Sequence, residues 1–136
     1  MPQEVLDALS ETIDMTCPNT GMILAVALNY GGRTEIIDAA RKIADEHKRG
    51  EISLDEIDER CISRHLYTAG MPDPDLLIRT ANELRVSNFL LWQISYSEFF
   101  VTDTLWPDFT ESNLEEAIRA YAHRVRRFGE VRDESK

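Results

Sequence analysis

Met22 to Leu28 reads MILAVAL, an unbroken apolar run set between the turn signal Pro18-Asn19-Thr20-Gly21 and the break Asn29-Tyr30-Gly31-Gly32-Arg33. Its length and its boundaries fit a strand better than a helix. A strand apolar at every position has no side to turn toward water. The run therefore predicts a strand buried on both faces, as in a parallel sheet covered by helices. Two further runs predict shorter buried strands, Asp75-Leu76-Leu77-Ile78-Arg79 and Glu98-Phe99-Phe100-Val101-Thr102.

Helical spacing fills the rest. Pro2, Val5, Leu6, Leu9 and Ile13 share one helix face, with Pro at an early position where its missing donor costs nothing. Ile36, Ile37, Ala40, Ile43, Ala44 and His47 form a second stripe, with Gly50 as its stop. Ser53-Leu54-Asp55-Glu56 has a capping-box pattern and opens a shorter helix bearing Ile57 and Cys61. Ser87 caps an expected short helix through Phe89, Leu90, Leu91 and Trp92. Trp106-Pro107-Asp108-Phe109 is a turn. Ser112-Asn113-Leu114-Glu115 is a second capping box, before a stripe of Leu114, Ala117, Ile118, Tyr121, Val125 and Phe128 that ends at Gly129. Val131 to Lys136 reads as a tail. Strands alternating with helices define an α/β domain, a mainly parallel sheet flanked by helices, occupying residues 1–136 as one unit. Three strands leave sheet edges that need a cover, so an oligomer or further polypeptide is expected.

Composition narrows the function classes. With 25 acidic against 15 basic residues the formal net charge is −10, which argues against generic nucleic-acid binding. A hydrophobic content of 43% argues against a disordered chain. No apolar run approaches the ~20 residues of a membrane-spanning helix, and Met1-Pro2-Gln3-Glu4 lacks the basic start of a signal peptide. Cys17 and Cys61 have no metal-ligand spacing and read as reduced thiols of a cytoplasmic protein. His47, His65 and His123 read as structural or surface residues.

Two polar clusters stand at the carboxyl ends of expected strands, where open α/β sheets bind ligands. In Asn29–Arg33, paired glycines allow either close backbone approach to a ligand or a tight turn. In the second, Arg79 closes a strand, Arg85 follows, and Ser87 starts the expected helix, whose free N–H groups favour an anion. Two guanidiniums, a hydroxyl and a helix N-terminus suit a diphosphate, since arginine binds phosphate oxygens through paired hydrogen bonds. The competing reading pairs both arginines with local acids such as Glu83 or Asp75. Glu98 becomes a Mg²⁺ ligand only if other oxygens join it.

Together these clusters resemble the cis-prenyltransferase family. The residues that carry the resemblance are Asn29-Tyr-Gly-Gly-Arg33, Asp75-Leu-Leu-Ile-Arg-Thr80, Glu83, Arg85-Val-Ser-Asn-Phe-Leu-Leu-Trp-Gln93, Tyr96-Ser-Glu98, Trp106-Pro-Asp-Phe109 and Arg126-Arg-Phe-Gly129. The resemblance implies a dimeric α/β enzyme that adds isopentenyl diphosphate, with cis geometry, to farnesyl or another allylic diphosphate, giving a membrane-associating polyprenyl product. It implies that Arg79, Arg85, Val86 and Ser87 bind the isopentenyl diphosphate and that Glu98 is a Mg²⁺ ligand. It covers only the C-terminal part of the family's pattern. A His-x-x-Asp-Gly-Asn-Gly-Arg-Trp-like allylic segment has no match, so a complementing N-terminal half or a non-catalytic partner role is also implied. Asn82 stands where the family usually has glycine. If that position needs a positive φ, Asn is the least costly replacement.

Overall fold

The computed structural model of the chain describes residues 2–124. Four α-helices and two strands appear in the order α1 (Gln3–Thr16), α2 (Gly32–Lys48), α3 (Glu59–His65), β1 (Leu76–Arg79), β2 (Glu98–Val101) and α4 (Glu111–Ala122). The strands pair in parallel, with Leu76 opposite Glu98 and Arg79 opposite Val101. Bonds from Glu98 N–H to the Asp75 carbonyl and from Thr102 N–H to the Arg79 carbonyl extend the ladder. Parallel strands need a long crossover. Here it is the stretch 80–97, which is built of turns.

The fold class holds, but the sheet is smaller than expected. Met22–Leu28 is not a strand: it makes no backbone–backbone hydrogen bond with any described residue, and the sheet contains β1 and β2 alone. A strand exists only through ladder partners, and none of the described residues pairs with this run. Its side chains stay in solvent, from Met22 at 92% exposure to Leu28 at 44%. Fully burying one such side chain is worth roughly 1.5–3 kcal/mol, so the exposed run forgoes a large stabilisation.

Three helix starts move. No helix begins at Ser87: Ser87, Asn88 and Leu90 have φ of 48°, 63° and 45°, incompatible with a right-handed helix. The Ser53 box opens only a 3₁₀ turn, Leu54–Glu56, with Ser53 N–H donating to Glu56 at 2.7 Å. Helix α3 starts under Asp58, which accepts from Cys61 N–H at 2.7 Å. Helix α4 starts under Thr110, whose N–H donates to Asn113 at 2.9 Å. For α3 and α4 a later and an earlier oxygen, respectively, reaches the free amides first. The turn at Trp106–Asp108 and the stop at Gly50, with φ of 74°, are as expected. Val125, Phe128, Gly129, the Arg126–Gly129 box and the tail lie outside the described residues.

The core is small: Ala39 and Ile43 of α2, Cys61 and Leu66 at α3, Leu77 of β1, Ile94, and Ala117 of α4. Helix α2 packs on α3, and α4 packs on β2. Helix α1 buries none of its residues.

The α2–α3 contact carries a proton-sensitive link. His65 Nδ1 lies 2.7 Å from the Cys61 carbonyl and Nε2 lies 3.0 Å from Glu46. Both neighbours are acceptors, so both ring nitrogens donate only in the imidazolium. The Cys61 carbonyl and then Glu46 raise the His65 pKa above its ordinary 6.5. A raised folded pKa adds stability below the unfolded value and loses it as pH climbs through the folded value. Chemical denaturation should therefore show the wild-type advantage over His65→Gln shrinking as pH rises above 6.5; a constant gap across that range would contradict the doubly donating ring.

Candidate active site

Arg79 is the last residue of β1, so its side chain leaves the sheet at the carboxyl edge. Arg85 lies six positions on, past a backbone reversal in which Ala81 and Asn82 have φ of 58° and 52°. Asn82 thus occupies the left-handed region, which its short polar side chain tolerates better than most. The reversal is tied to the end of β2 by Asn82 N–H to the Thr102 carbonyl at 2.7 Å and Ala81 N–H to the Thr104 carbonyl at 2.9 Å.

This reversal brings the two guanidiniums together on one carboxylate. Arg79 Nη2 donates to Glu83 Oε2 at 2.8 Å, and Arg85 Nη2 donates to Glu83 Oε1 at 2.5 Å. The two guanidiniums converge, and their point of convergence is Glu83, a local acid of the competing sequence reading. Two positive charges against one negative leave the cluster at +1. Arg79 Nε is buried and has no hydrogen-bond partner among the described residues. Buried donors are nearly always satisfied, and this one is an exception. Val86 is half-buried and Ser87 exposed. Ser87 contributes no helix N-terminus, so that part of the expected anion site is absent. Strained backbone remains in its place, of the kind that clusters at ligand-binding loops.

Glu98 opens β2, where Oε2 accepts from Arg124 Nη1 at 2.7 Å. Among the described residues no group of three His, Cys, Asp or Glu side chains could hold a metal. The donor set fits a divalent cation only as a single carboxylate, with the other oxygens coming from a phosphate ligand and water.

The Asn29–Arg33 cluster meets the second cluster directly. Gly32 N–H donates to the Asn88 carbonyl at 2.8 Å, and Arg33 N–H donates to Asn88 Oδ1 at 2.9 Å. Asn88 thereby caps α2 from 55 residues away. The close approach that the glycines allow is to this loop. A Cβ on Gly32 would lie 2.9 Å from Leu91 Cγ and 3.1 Å from Leu91 N. Gly32→Ala should cost about 1–3 kcal/mol as overpacking, read as a lower melting temperature, with Gly21→Ala, which meets nothing within 4 Å, as the unshifted control.

Sequence reasoning missed Glu35 and Gln93. Glu35 is fully buried and Gln93 nearly so. Glu35 accepts from Tyr67 N–H at 2.7 Å, from Gln93 Nε2 at 3.2 Å and from the Tyr30 hydroxyl. Gln93 Nε2 also reaches Thr68 Oγ1 at 2.9 Å, while Gln93 Oε1 has no partner. Burial, then the bond to Glu35, pushes the Tyr30 pKa upward. Tyr30 also packs edge-on against Phe89, with ring centroids 5.7 Å apart. The available signal was spacing: Glu35, Ala39 and Ile43 fall on one helix face, with a carboxylate where a hydrocarbon is usual.

A parallel-stranded α/β unit with an arginine pair at a strand's carboxyl edge is the class that the fold and site define. The comparisons with known proteins make the assignment specific. Residues 1–129 match the family model described as "Putative undecaprenyl diphosphate synthase", and the chain belongs to that cis-prenyltransferase family. An isoprenyl transferase of Halalkalibacterium halodurans is 53% identical over 96% of this chain and 51% of its own length. The farnesyl-diphosphate-specific ditrans,polycis-undecaprenyl-diphosphate synthase of Micrococcus luteus is 54% identical over 95% of this chain and 52% of its own. The crystal structure of lavandulyl diphosphate synthase from Lavandula x intermedia, in complex with dimethylallyl diphosphate, superposes with a TM-score of 0.89 at 45% identity. That match covers 96% of this chain and 56% of that one. The chain spans about half the length of the curated relatives it matches.

Proposed function

We propose that this chain carries the isopentenyl diphosphate subsite of a cis-prenyltransferase and takes part in polyprenyl diphosphate synthesis. One observation supports this above the others: Arg79 and Arg85 are drawn to a single point at the sheet's carboxyl edge, leaving the buried Arg79 Nε–H unpartnered. Incoming phosphate oxygens would take that donor and the guanidinium faces that Glu83 leaves open. Val86 and Ser87 would line the same turn, with the Ser87 hydroxyl as a further donor. Glu98 would contribute the single carboxylate to Mg²⁺, exchanging Arg124 for the cation; bound Mg²⁺ supplies charge neutralisation to a departing diphosphate.

In the reaction the allylic carbon–oxygen bond breaks. The double bond of isopentenyl diphosphate then attacks that carbon, and a proton is lost from the new adduct. The residues of this chain act by position: a diphosphate gripped at Arg79 and Arg85 fixes where the attacking double bond lies, which converts an encounter into an oriented step. The allylic site, whether for farnesyl or another allylic diphosphate, belongs to the family pattern outside this chain. The whole activity therefore requires a complementing N-terminal half or a partner subunit, in a cytoplasmic setting consistent with the free thiols Cys17 and Cys61. No helix among the described residues is long and apolar enough to cross a membrane.

Titration calorimetry of the chain with isopentenyl diphosphate and Mg²⁺ tests the subsite, with saturable binding expected. In a radiolabelled incorporation assay with farnesyl diphosphate, the chain alone should give little or no product. No heat of binding would remove the subsite reading.

A further inference from the structure

We infer that Asn88 is a positioning residue: it latches the loop of Arg85 and Ser87 onto the start of α2 and so fixes where those two side chains stand relative to Arg79. This rests on the diphosphate subsite proposed above and deepens it. The first amides of a helix have no acceptor within the helix, and Gly31, at the N-cap of α2, has no side chain to offer one. Asn88 accepts from two of them, from Gly32 N–H through its backbone carbonyl at 2.8 Å and from Arg33 N–H through Oδ1 at 2.9 Å. It does from 55 residues away what an N-cap side chain does locally. Glycine at position 32 makes room for the contact, since a Cβ there would lie 3.2 Å from the Asn88 carbonyl oxygen.

A second observation is the path of the loop. At its start, Ala81 and Asn82 N–H groups are held by the Thr104 and Thr102 carbonyls, just past β2. At its end, Asn88 is held by α2. The residues between these anchors include Glu83, Arg85, Val86 and Ser87, the expected diphosphate contacts outside β1. A third observation is strain. Ser87, Asn88 and Leu90 have φ of 48°, 63° and 45°. Asparagine tolerates the left-handed region, whereas serine and leucine enter it at a cost. Such backbone persists only where its surroundings over-determine it. Here the surroundings are the two Asn88 bonds to α2 and the edge-on packing of Phe89 against Tyr30, with centroids 5.7 Å apart. Releasing Asn88 lets Ser87 return to negative φ, which moves Ser87 and Arg85 while Arg79 stays fixed at the end of β1.

Calorimetry of the full chain with inorganic pyrophosphate and Mg²⁺, below the melting temperature of every variant, tests the role. Asn88→Ala and Asn88→Gly both delete Oδ1, and glycine also removes the cost of positive φ, so it separates the cap from the backbone. Each should raise the dissociation constant roughly tenfold or more through misplacement of Arg85 and Ser87. Asn88→Asp keeps an oxygen for Arg33 N–H and suits a helix start, so it should bind within roughly threefold of wild type. Its added negative charge by itself opposes an anion, so better binding by Asp than by Ala comes from the restored cap. His65→Gln loosens the α2–α3 contact away from this loop; it is the control for lost stability and should leave the dissociation constant unchanged. Gly31→Val strikes the latch from the helix side, where a Cβ would already lie 3.0 Å from Asn88 Nδ2. It should weaken binding roughly threefold or more, and it decides the matter if the Asn88 variants do not fold. The positioning role is overturned if Asn88→Gly binds as wild type, if Asn88→Asp binds no better than Asn88→Ala, or if Gly31→Val leaves binding unchanged. A wild-type chain that binds no pyrophosphate overturns the subsite reading and this role with it; wild-type binding with unaltered variants overturns the role alone.

Discussion

Glu35→Ala should unfold this protein more readily than any other single polar substitution in α2, by about 3 kcal/mol or more. The carboxylate has no exposed surface and receives three donors from three parts of the chain: the Tyr30 hydroxyl, the Tyr67 amide and the Gln93 side chain. Removing it leaves those donors buried and unpaired, and each such orphan costs about 1–3 kcal/mol. The cavity left by the side chain adds to the loss. The donors also hold together α2, the segment after α3 and the loop before β2, so the damage is not local. Urea denaturation reads the effect as a lower midpoint. Glu35→Gln separates charge from shape: it keeps one acceptor oxygen but turns an NH₂ toward a donor, so it should fall between wild type and Glu35→Ala. If Glu35→Ala unfolds at the wild-type midpoint, the network is decorative and the apolar core residues carry the stability without it.

That network was illegible in the sequence for a physical reason. Helical periodicity identifies a face, and the apolar stripe Ile36, Ile37, Ala40, Ile43, Ala44 and His47 put only Ile43 on the side that is buried. The face that packs instead carries Gly32, Glu35, Ala39 and Ile43. A carboxylate is ordinarily scored as outward-facing, and only its three donors reverse that preference. The strands at Leu76 and Glu98 were legible because their apolar runs are short, bounded and mutually paired. Met22–Leu28 has an equally strong pattern, but a pattern only states what a segment requires of its neighbours. Where no neighbour is present, it forms no strand. Ser87 failed differently. A good N-cap residue followed by apolar positions resembles a helix start, but Asn88 is committed to capping α2, and the positive φ values that deliver it there forbid the helix. The arginine pair was legible as chemistry but not as geometry: six residues of spacing permit convergence, and only the left-handed turn at Ala81-Asn82 enforces it.

Arg79→Ala should weaken pyrophosphate binding more than Arg85→Ala, because the two guanidiniums are not equivalent. Arg79 keeps 25% of its side-chain surface and an unpartnered Nε, whereas Arg85 keeps 65% and is largely in solvent. A charge-assisted bond contributes about 1.5–3 kcal/mol, so loss of Arg79 should raise the dissociation constant by roughly 10- to 100-fold. Solvent screening holds Arg85 toward the lower end. Glu83 supplies the sharper discrimination. It occupies one face of both guanidiniums, so a bound diphosphate contends with it for the same donors and feels its negative charge. Glu83→Gln removes that charge while keeping an acceptor of the same shape. If the arginines exist to grip an anion, pyrophosphate should then bind roughly tenfold more tightly, about 1.4 kcal/mol on the scale of one charged hydrogen bond. If the three side chains form only a structural ion-pair cluster, Glu83→Gln should instead loosen the turn and weaken or abolish binding. Calorimetry of the three variants at fixed ionic strength decides between them, and tighter binding by Glu83→Gln together with loss in Arg79→Ala is the pair of results that a merely structural cluster does not produce.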